Sequence, residues 1–409
     1  MTNGNDYDVV IFGASSFVGQ LIARYMSEEF PQNEVRWAIA GRSAEKLEAL
    51  RATLIGTPPD VLLADSEDEA ALRAMCEKTS VVMSTVGPYA LYGDLLVKLC
   101  AETGTHYCDL TGETQWIKRM QDAYAATAVK SGARIVHCCG FDSIPSDLGV
   151  YFLQQRSLKR FGQTCGSVKM GVAKMKGGVS GGTVASVINL AKEASKDTAL
   201  RKELADDYSI CPPNHGYGTQ QHTVKTEYDE DFKSWLAPFV MATVNTRVVH
   251  RSNALSGNSY GDAFQYHEAM MTGKGAAGKS KARTIRWGLG SFVVSAAIAP
   301  TRWLLERTIL PKPGEGPSEY EQTSGSYHLI FVGKTDDEKS IRCEVRGDRD
   351  PGYGSTAKMA SQAAVCLALD VGDDVAGGFW TPATLLGDKL IGRLQEHAGV
   401  TFAEVNVSK

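Results

Sequence analysis

The sequence lacks the patterns that would assign the chain to several common classes of protein. Its nine cysteines form no C-x-x-C pair and its eight histidines show no metal-ligand spacing, so neither a metal centre nor a redox dithiol is expected. Its 43 Lys and Arg residues are matched by 47 Asp and Glu residues, and both signs are scattered along the chain, which excludes the basic stripe of a nucleic-acid-binding protein. The polar N-terminus leaves no room for a signal peptide before the first apolar run. We therefore expect a cytoplasmic protein with reduced thiols.

What the sequence does contain is the composition of a globular protein with room for two domains, since 43% of its residues are hydrophobic and 22% are charged. From residue 8 to about 140, short apolar runs alternate with helical periodicity, which predicts βαβ units. Later, the alternating segments 167–176 and 240–249 predict strands of a mixed sheet. The predicted fold class is α/β, with a doubly wound parallel sheet over residues 1–145 and a second α/β domain on a mixed sheet over residues 146–354.

A strand, a glycine turn and a helix follow one another at the start of the chain. The apolar run 9–12 leads into Gly13, Ala14, Ser15, Ser16, Phe17, Val18 and Gly19. Gly13 would let the chain turn sharply, Gly19 would let the helix pack closely on the sheet, and the helix N-terminus would face a pyrophosphate. A βα turn rich in small residues also occurs in proteins that bind no nucleotide. The motif nevertheless predicts a sheet of Rossmann type whose first turn, residues 13–19, binds a dinucleotide.

The second predicted strand ends in a cationic turn. Arg42 and Ser43 follow it, and Lys46 lies one helical turn further on. An acidic residue at this point would bind the ribose 2′-hydroxyl of NAD, whereas arginine pairs with a phosphate. The alternative is an exposed arginine at a helix start, which is unfavourable beside the helix dipole unless an anion is present. The turn therefore predicts a 2′-phosphate site and NADP(H) as the cofactor.

Two further strand ends complete the predicted cofactor site. Asp65 follows the third strand, where it would either accept a hydrogen bond from the adenine amino group or cap the next helix. The fourth strand ends in the run of Thr85, Val86, Gly87 and Pro88, at the crevice where doubly wound sheets bind ligands. We expect this backbone to lie beside the ribose and nicotinamide of the cofactor.

The candidates for proton transfer or substrate contact are four side chains near strand ends, namely Tyr89, Tyr107, Asp109 and Ser143. Tyr89 would serve either as a proton donor or as a packing aromatic residue. Tyr107 and Asp109 belong to the next strand end along the chain, and Ser143, with its neighbour Asp142, to the one after it. All of them converge on one rim of the predicted sheet, and the local sequence does not rank them.

Residues 287–305 form the most apolar region of the chain, yet the run before Pro300 is shorter than the roughly 20 residues of a membrane-spanning helix. The segment would form a buried helical hairpin, or it would expose an apolar face to a membrane surface, a lipid substrate or a partner subunit. In the second case the basic residues around it would meet head groups; they are Arg283, Arg286, Arg302 and Arg307.

Nine loops spread over nearly the whole chain carry a resemblance to a known family. Besides residues 13–19 and 40–43, they are 86–93, 107–113, 139–147, 177–183, 310–317, 350–353 and 381–383. Together they resemble the loops of the saccharopine dehydrogenase-like oxidoreductases, and more closely those of the branch of trans-acting enoyl reductases.

This resemblance implies a Rossmann domain that binds NADP(H), an inserted α/β substrate domain, and C-terminal helices within 355–409 that return to the first domain. Ser16 departs from the family, whose members often have glycine there. Its side chain would narrow the space over the pyrophosphate or donate to a phosphate oxygen. In an enoyl reductase, NADPH delivers hydride to the β-carbon of an α,β-unsaturated thioester while a side chain or water protonates the α-carbon, in lipid or polyketide assembly.

The expected function is thus NADP-dependent reduction of an enoyl or related unsaturated acyl group on a small-molecule or lipid-linked substrate. One alternative is a saccharopine-type amino-acid dehydrogenase, which needs cations to hold several carboxylates, and Lys174, Lys176 and Arg247 are the candidates. Another is a non-catalytic lipid-surface protein that binds a dinucleotide. We further expect no nucleic-acid partner, a peripheral membrane or lipid contact through 287–305, and a homodimer.

Overall fold

The structure is a computed structural model that describes residues 5–177, 181–218, 221–308 and 316–405. These residues form two compact units. The first contains the described residues of Met1–Asp142, Pro311–Ser318 and Gly352–Gly399, and the second contains those of Ser143–Leu310, Glu319–Pro351 and Val400–Lys409.

The helices and strands are numbered along the chain, which passes from unit one to unit two and back. Up to the end of the first segment of unit one they are β1 (Tyr7–Phe12), α1 (Phe17–Glu29), β2 (Trp37–Gly41), α2 (Ala44–Arg51), β3 (Asp60–Leu63), α3 (Glu69–Cys76), β4 (Thr79–Ser84), α4 (Tyr89–Tyr92), α5 (Asp94–Thr103), β5 (His106–Asp109), α6 (Thr114–Ser131) and β6 (Arg134–Val136). Unit two continues with α7 (Ile144–Phe161), β7 (Ser167–Lys176), α8 (Gly181–Lys196), α9 (Thr198–Glu203), β8 (Glu227–Asp229), β9 (Ser234–Pro238), α10 (Ala242–Leu255), β10 (Gln265–Gly273), α11 (Gly275–Ala297), α12 (Ala299–Thr308), α13 (Glu319–Ser324), β11 (Ser326–Lys334) and β12 (Ser340–Gly347). The chain ends with α14 (Gly354–Leu369), β13 (Gly378–Trp380), α15 (Pro382–Leu385) and α16 (Gly387–His397) in unit one, and β14 (Val400–Glu404) in unit two.

Unit one is built on a seven-stranded sheet in the order β13-β6-β5-β4-β1-β2-β3, and every strand pairing in it is parallel. Val9, Val10, Ile11 and Phe12 of β1 are all buried, as expected for a central strand covered on both faces. The strand order changes direction between β1 and β4, so the loops that leave these two strands border the crevice where such sheets bind ligands. The predicted Rossmann-type sheet is confirmed.

The register of β1 and β4 brings two predicted cofactor loops together. Phe12 pairs with Ser84, so the chain leaves both strands at the same level. The turn that begins at Gly13 therefore lies directly beside Thr85, and the backbone N–H of Thr85 donates to the Phe12 carbonyl over 2.9 Å.

Unit two is built on a second seven-stranded sheet, in the order β14-β12-β11-β7-β10-β9-β8. The pairing of β7 with β10 is parallel and the others are antiparallel, so the predicted mixed sheet is confirmed. The expected strand at 240–249 is wrong, because these residues lead into and form most of α10. Every residue from Arg247 to Asn253 is buried, the polar ones included, so burial in this helix does not follow the polar and apolar pattern from which a period of 3.6 is recognised.

The apolar segment 287–305 is helical, but it is not a buried hairpin. It spans the second half of α11 and most of α12, and Trp287 is 75% exposed. None of the described helices is long and apolar enough to cross a membrane. Residues 178–180 of the loop 177–183 and residues 310–315 of the loop 310–317, both of which carry the family resemblance, lie outside the described residues.

Candidate dinucleotide and substrate site

The first turn of unit one has the close packing that a phosphate-binding loop requires. Gly13 has a φ of +84°, and a Cβ built on it would lie 2.6 Å from Val86 Cγ2. A Cβ on Gly19 would lie 2.4 Å from the Gly13 carbonyl oxygen. Only glycine fits at these two positions, because a side chain would push the turn away from β4 or the helix away from the turn.

Ser16 closes the turn through its hydroxyl group. Its Oγ accepts from the Gly19 N–H over 3.0 Å, which makes Ser16 the N-cap of α1, and it lies 3.0 Å from Thr85 Oγ1. Thr85 Oγ1 donates to the Gly13 carbonyl over 2.9 Å, so the Ser16 hydroxyl is the donor in the Ser16–Thr85 bond. The hydroxyl proton that could have met a phosphate therefore binds Thr85, and Ser16 fastens the turn to β4.

The N-terminus of α1 keeps free donors for an anion. Among the residues that the structure describes, none accepts a hydrogen bond from the backbone N–H of Ser15, Phe17 or Val18. Ala14 N–H is not available, because it donates to Ala40 of β2 over 3.1 Å. The first turn of α1 contains no acidic residue. Three N–H groups at the positive end of a helix dipole fit a pyrophosphate.

The cationic turn after β2 is open to solvent. Arg42 and Lys46 are both exposed, and neither forms an ion pair with the described part of the chain. Ser43 is the N-cap of α2, accepting from the Lys46 N–H over 3.4 Å. Two unpaired cations at the start of a helix would repel its dipole, whereas a phosphate between them would remove that repulsion. This geometry fits the 2′-phosphate of NADP.

Asp65 bonds to its own loop. Its Oδ1 accepts from the Glu67 N–H over 3.1 Å, while the N-cap of α3 is Asp68. The side chain thus shapes the turn before α3, and it is partly exposed. Contact with adenine stays a prediction.

The loop after β4 continues the cofactor crevice. Val86 and Pro88 are partly exposed and Gly87 is exposed, and the Gly87–Pro88 peptide bond is cis. The Val86 N–H lies 3.4 Å from Ser84 Oγ. Their backbone is therefore accessible at the edge of the sheet where the nicotinamide half of a dinucleotide is expected.

Tyr89 is a buried link between loops. Its hydroxyl donates to the Ser84 carbonyl over 3.0 Å and accepts from the Leu110 N–H over 3.2 Å, and its own N–H donates to Glu113. Burial, with a smaller contribution from the charge of Asp109, raises the pKa of Tyr89 well above its usual value. Its proton is held by a backbone carbonyl, which is a structural arrangement.

Asp109 is completely buried and its carboxylate is saturated by hydrogen bonds. Oδ1 accepts from the backbone N–H groups of Thr111 and Cys138, each over 3.1 Å, and Oδ2 lies 2.7 Å from Nδ1 of His137. The Asp109 carboxylate accepts at both oxygens, and His137 donates to it from Nδ1. Cys138 has a φ of +63°, a strained conformation for a residue with a side chain, and the Asp109 bond helps to hold it.

His137 is a site residue that the sequence did not single out. Its ring lies among three aromatic rings, with centroid distances of 5.8 Å to Tyr107, 5.1 Å to Trp116 and 5.8 Å to Phe379. This enclosure keeps it from a substrate, so it orients Asp109. Tyr107 is also completely buried, and burial together with Asp109 raises its pKa well above the usual value.

Asp142 is the carboxyl group of this region that keeps partial exposure. Burial raises the pKa of Asp142 from 3.8 to about 7, and the charge of Asp109 adds to this rise. The Phe141 N–H donates to Thr356 Oγ1 over 3.0 Å, which fixes the segment on the first turn of α14. Gly140 is needed beside it, since a Cβ there would lie 2.9 Å from Leu110. The structure therefore provides a partly exposed carboxyl group whose pKa lies well above its usual value.

Ser143 belongs to unit two, where its hydroxyl donates to Asn245 Oδ1 over 3.0 Å. Asn245 in turn donates to Glu268 of β10 over 2.9 Å, and Tyr266 donates to the other oxygen of Glu268 over 2.6 Å. The structure thus brings Tyr89, Tyr107 and Asp109 together within unit one and places Ser143 in a separate buried network.

Arg247 was a candidate for holding a substrate carboxylate, and three of its five N–H donors are already in use. Its guanidinium group binds Ser209 Oγ, the Leu204 carbonyl and the Thr243 carbonyl. The other two candidates, Lys174 and Lys176, lie exposed on β7. The three cations do not form a carboxylate site within unit two.

Comparison with known proteins agrees with this geometry. The family model of the saccharopine dehydrogenase NADP binding domain matches residues 9–136. The trans-acting enoyl reductase of Mycobacterium tuberculosis is 36% identical over 421 residues, which cover 98% of this chain and 99% of that protein. The protein of the same name from Mycobacterium leprae is 34% identical over 424 residues, with the same coverage.

The chain belongs to the saccharopine dehydrogenase-like oxidoreductase family. Within that family it groups with the trans-acting enoyl reductases. Among solved structures, saccharopine dehydrogenase (L-Glu forming) from Saccharomyces cerevisiae superposes with a TM-score of 0.54 at 13% identity, covering 98% of this chain and 99% of that one. At this identity the likeness shows the fold alone. The present chain is thus an oxidoreductase whose cofactor is NADP(H).

Proposed function

We propose that this enzyme reduces the carbon–carbon double bond of an α,β-unsaturated acyl thioester, with a small-molecule or lipid-linked acyl group as substrate. Bound NADPH would supply the hydride for the β-carbon. The α-carbon would take a proton from the protein, so that the two additions together saturate the double bond. The names of the full-length relatives support the substrate class, and the relatives are similar along the whole chain.

The observation that carries the mechanism is the position and protonation of Asp142. It follows β6 at the carboxyl end of the sheet, it is partly exposed, and its pKa is raised by burial to about 7. A proton donor is most effective when its pKa lies near the working pH. We assign Asp142 as the acid. After each turnover it takes up a new proton from the solvent.

The other predicted catalytic residues take supporting roles in this proposal. Asp109, held by His137 and two backbone N–H groups, adds to the burial that raises the pKa of Asp142. Tyr89 links the loops after β4 and β5. Ser143, whose hydroxyl is buried and bound to Asn245, stays a prediction.

The amino-acid dehydrogenase alternative is less well supported. A substrate that joins two amino acids carries several carboxylates, which require free cations. Arg247 is buried, and three of its five N–H groups bind Ser209 and the carbonyls of Thr243 and Leu204, so it is not a free cation. We therefore favour an uncharged acyl chain over a dicarboxylate.

The test is NADPH oxidation with a panel of enoyl thioesters of increasing chain length, together with ketones and imines of amino acids. We expect turnover with enoyl thioesters, and strong loss of turnover in Asp142→Asn. Asp122→Asn, which changes an exposed carboxylate on α6, is the matched control and should leave turnover unchanged. Turnover of imines alone would overturn the proposal, and so would full activity of Asp142→Asn. That the protein forms a homodimer stays a prediction. A measurement of its mass in solution tests it.

A further inference from the structure

Helix α11 buries small residues and exposes large apolar ones, which is the reverse of an ordinary surface helix. The residues that it buries are small, namely Gly278, Ala282 and Ala296. The residues that it exposes include Trp287 at 75% and Val294 at 59% exposed. A helix that stabilises a globular core buries its large apolar side chains and exposes polar ones.

The exposed apolar residues follow one another along α11 and α12. Trp287 and Val294 are seven residues apart, so they lie on one side of α11, two turns from each other. After the helix ends, α12 adds Trp303 and Leu304, which are 54% and 53% exposed. We call the large exposed apolar side chains of α11, α12 and the residue between them the apolar face; they are Trp287, Val293, Val294, Ile298, Trp303 and Leu304.

The apolar face is surrounded by positive charge. Residues 275–308 contain six basic residues and one acidic residue, a net charge of +5 in a chain whose total is −4. Arg283 precedes Trp287 by one helical turn, and the guanidinium carbon of Arg307 lies 4.2 Å from the centre of the Trp303 ring. Arg302 instead turns back towards the carbonyl groups at the end of α11.

Tryptophan and branched apolar residues flanked by Lys and Arg are the composition of helices that lie in the interface of a bilayer. An anionic lipid surface satisfies both parts of this face, because acyl chains cover the apolar residues and head groups pair with the cations. A second copy of this chain would present the same excess of positive charge, which opposes that pairing. We propose that the apolar face docks on the surface of a membrane containing anionic phospholipids, without crossing it.

This inference is independent of the proposed reaction, and its readout does not use activity. The full-length protein is floated with vesicles of phosphatidylcholine alone or with about one third phosphatidylglycerol. We expect flotation with the anionic vesicles and about tenfold less with the neutral ones, and weaker binding as salt is added. Vesicles that contain brominated acyl chains should quench the tryptophan fluorescence of the bound protein.

The variant Trp287→Glu/Trp303→Glu should lower partitioning about tenfold or more, since it places two charges in the apolar face. Tyr320→Glu is the matched control, because Tyr320 is also 75% exposed and lies on α13, outside the face. Both proteins should bind NADPH as the unmodified protein does, which separates loss of docking from loss of fold. Equal flotation of the double variant and the control would overturn the proposal. So would an absence of flotation with anionic vesicles, or a dimer in lipid-free solution that the double variant converts to monomer.

Discussion

Replacing Arg42 by alanine tests the cofactor site at its most specific point. Arg42 is exposed at the end of β2 and has no ion-pair partner within the described ranges, so the substitution disturbs no other contact of the folded chain. The only interaction expected to disappear is that with the 2′-phosphate of NADPH. NADH lacks this phosphate and should bind the variant as it binds the unmodified enzyme.

The size of the effect follows from the exposure of the site. A hydrogen bond to a charged group contributes about 1.5–3 kcal/mol. Water screens an exposed pair, and Lys46 remains beside the phosphate, so we expect a loss near the lower figure. A loss of about 1.4 kcal/mol corresponds to about a tenfold rise in the Kd for NADPH. The Kd for NADH should change less than about twofold, and the double variant Arg42→Ala/Lys46→Ala should lose more.

Titration calorimetry or nucleotide fluorescence measures both constants on the same preparation. Arg51→Ala is the matched control, because Arg51 is a cation of α2 whose partner is Glu48 rather than a ligand. The preference for NADPH should also weaken as salt rises, as expected for an exposed charge pair. Equal affinities of the unmodified enzyme for NADPH and NADH would refute the reasoning. An equal loss for both nucleotides in Arg42→Ala would refute it as well, because it would mean that Arg42 supports the fold of the site.

Three further changes follow from the same site. Ser16→Ala removes the side-chain N-cap of α1 and the bond to Thr85, and it should lower the free energy of unfolding by about 1 kcal/mol in denaturant titrations; an unchanged free energy of unfolding would show that the hydroxyl does not hold the turn. Gly13→Ala forces a Cβ to within 2.6 Å of Val86 and should abolish tight NADPH binding, while Gly132→Ala, at a positive φ with no atom within 4 Å, should leave binding intact. Because the pKa of Asp142 is raised to about 7, the folded protein binds more protons than the unfolded chain between about pH 4 and pH 7, so this group destabilises the fold as the pH rises through that range. Asp142→Asn should therefore stabilise the fold more at pH 8 than at pH 5, with a difference of up to about 3 kcal/mol in the free energy of unfolding. Turnover of the unmodified enzyme should fall above about pH 7. An equal change in the free energy of unfolding at both pH values would contradict the raised pKa.

Several features of this protein are encoded in short stretches of sequence. The run from Val9 to Gly19 predicts strand, turn and helix by itself, because both glycines are required by the backbone within the turn. Short apolar runs that alternate with segments of helical periodicity predict βαβ units, and these units give a parallel sheet. Arg42 stands out because a cation at a helix start needs an anion nearby.

Other features depend on contacts between residues far apart in the chain, and only the tertiary structure shows them. Ser16 meets Thr85, 69 residues away, and this contact decides where its hydroxyl proton goes. The role of His137 follows from the Asp109 carboxylate 28 residues earlier. The same Asp109, together with burial, sets the pKa of Asp142.

The apolar residues of 287–305 show the same division. Their sequence predicts helices, but it cannot tell which side of a helix faces the protein when large and small apolar residues alternate around it. Packing decides this, because the small residues of α11 let the helix approach its unit closely and leave Trp287 outside. The sequence thus determined the elements and the cofactor chemistry, and the tertiary structure decided which side chains meet, which are buried and which face the solvent.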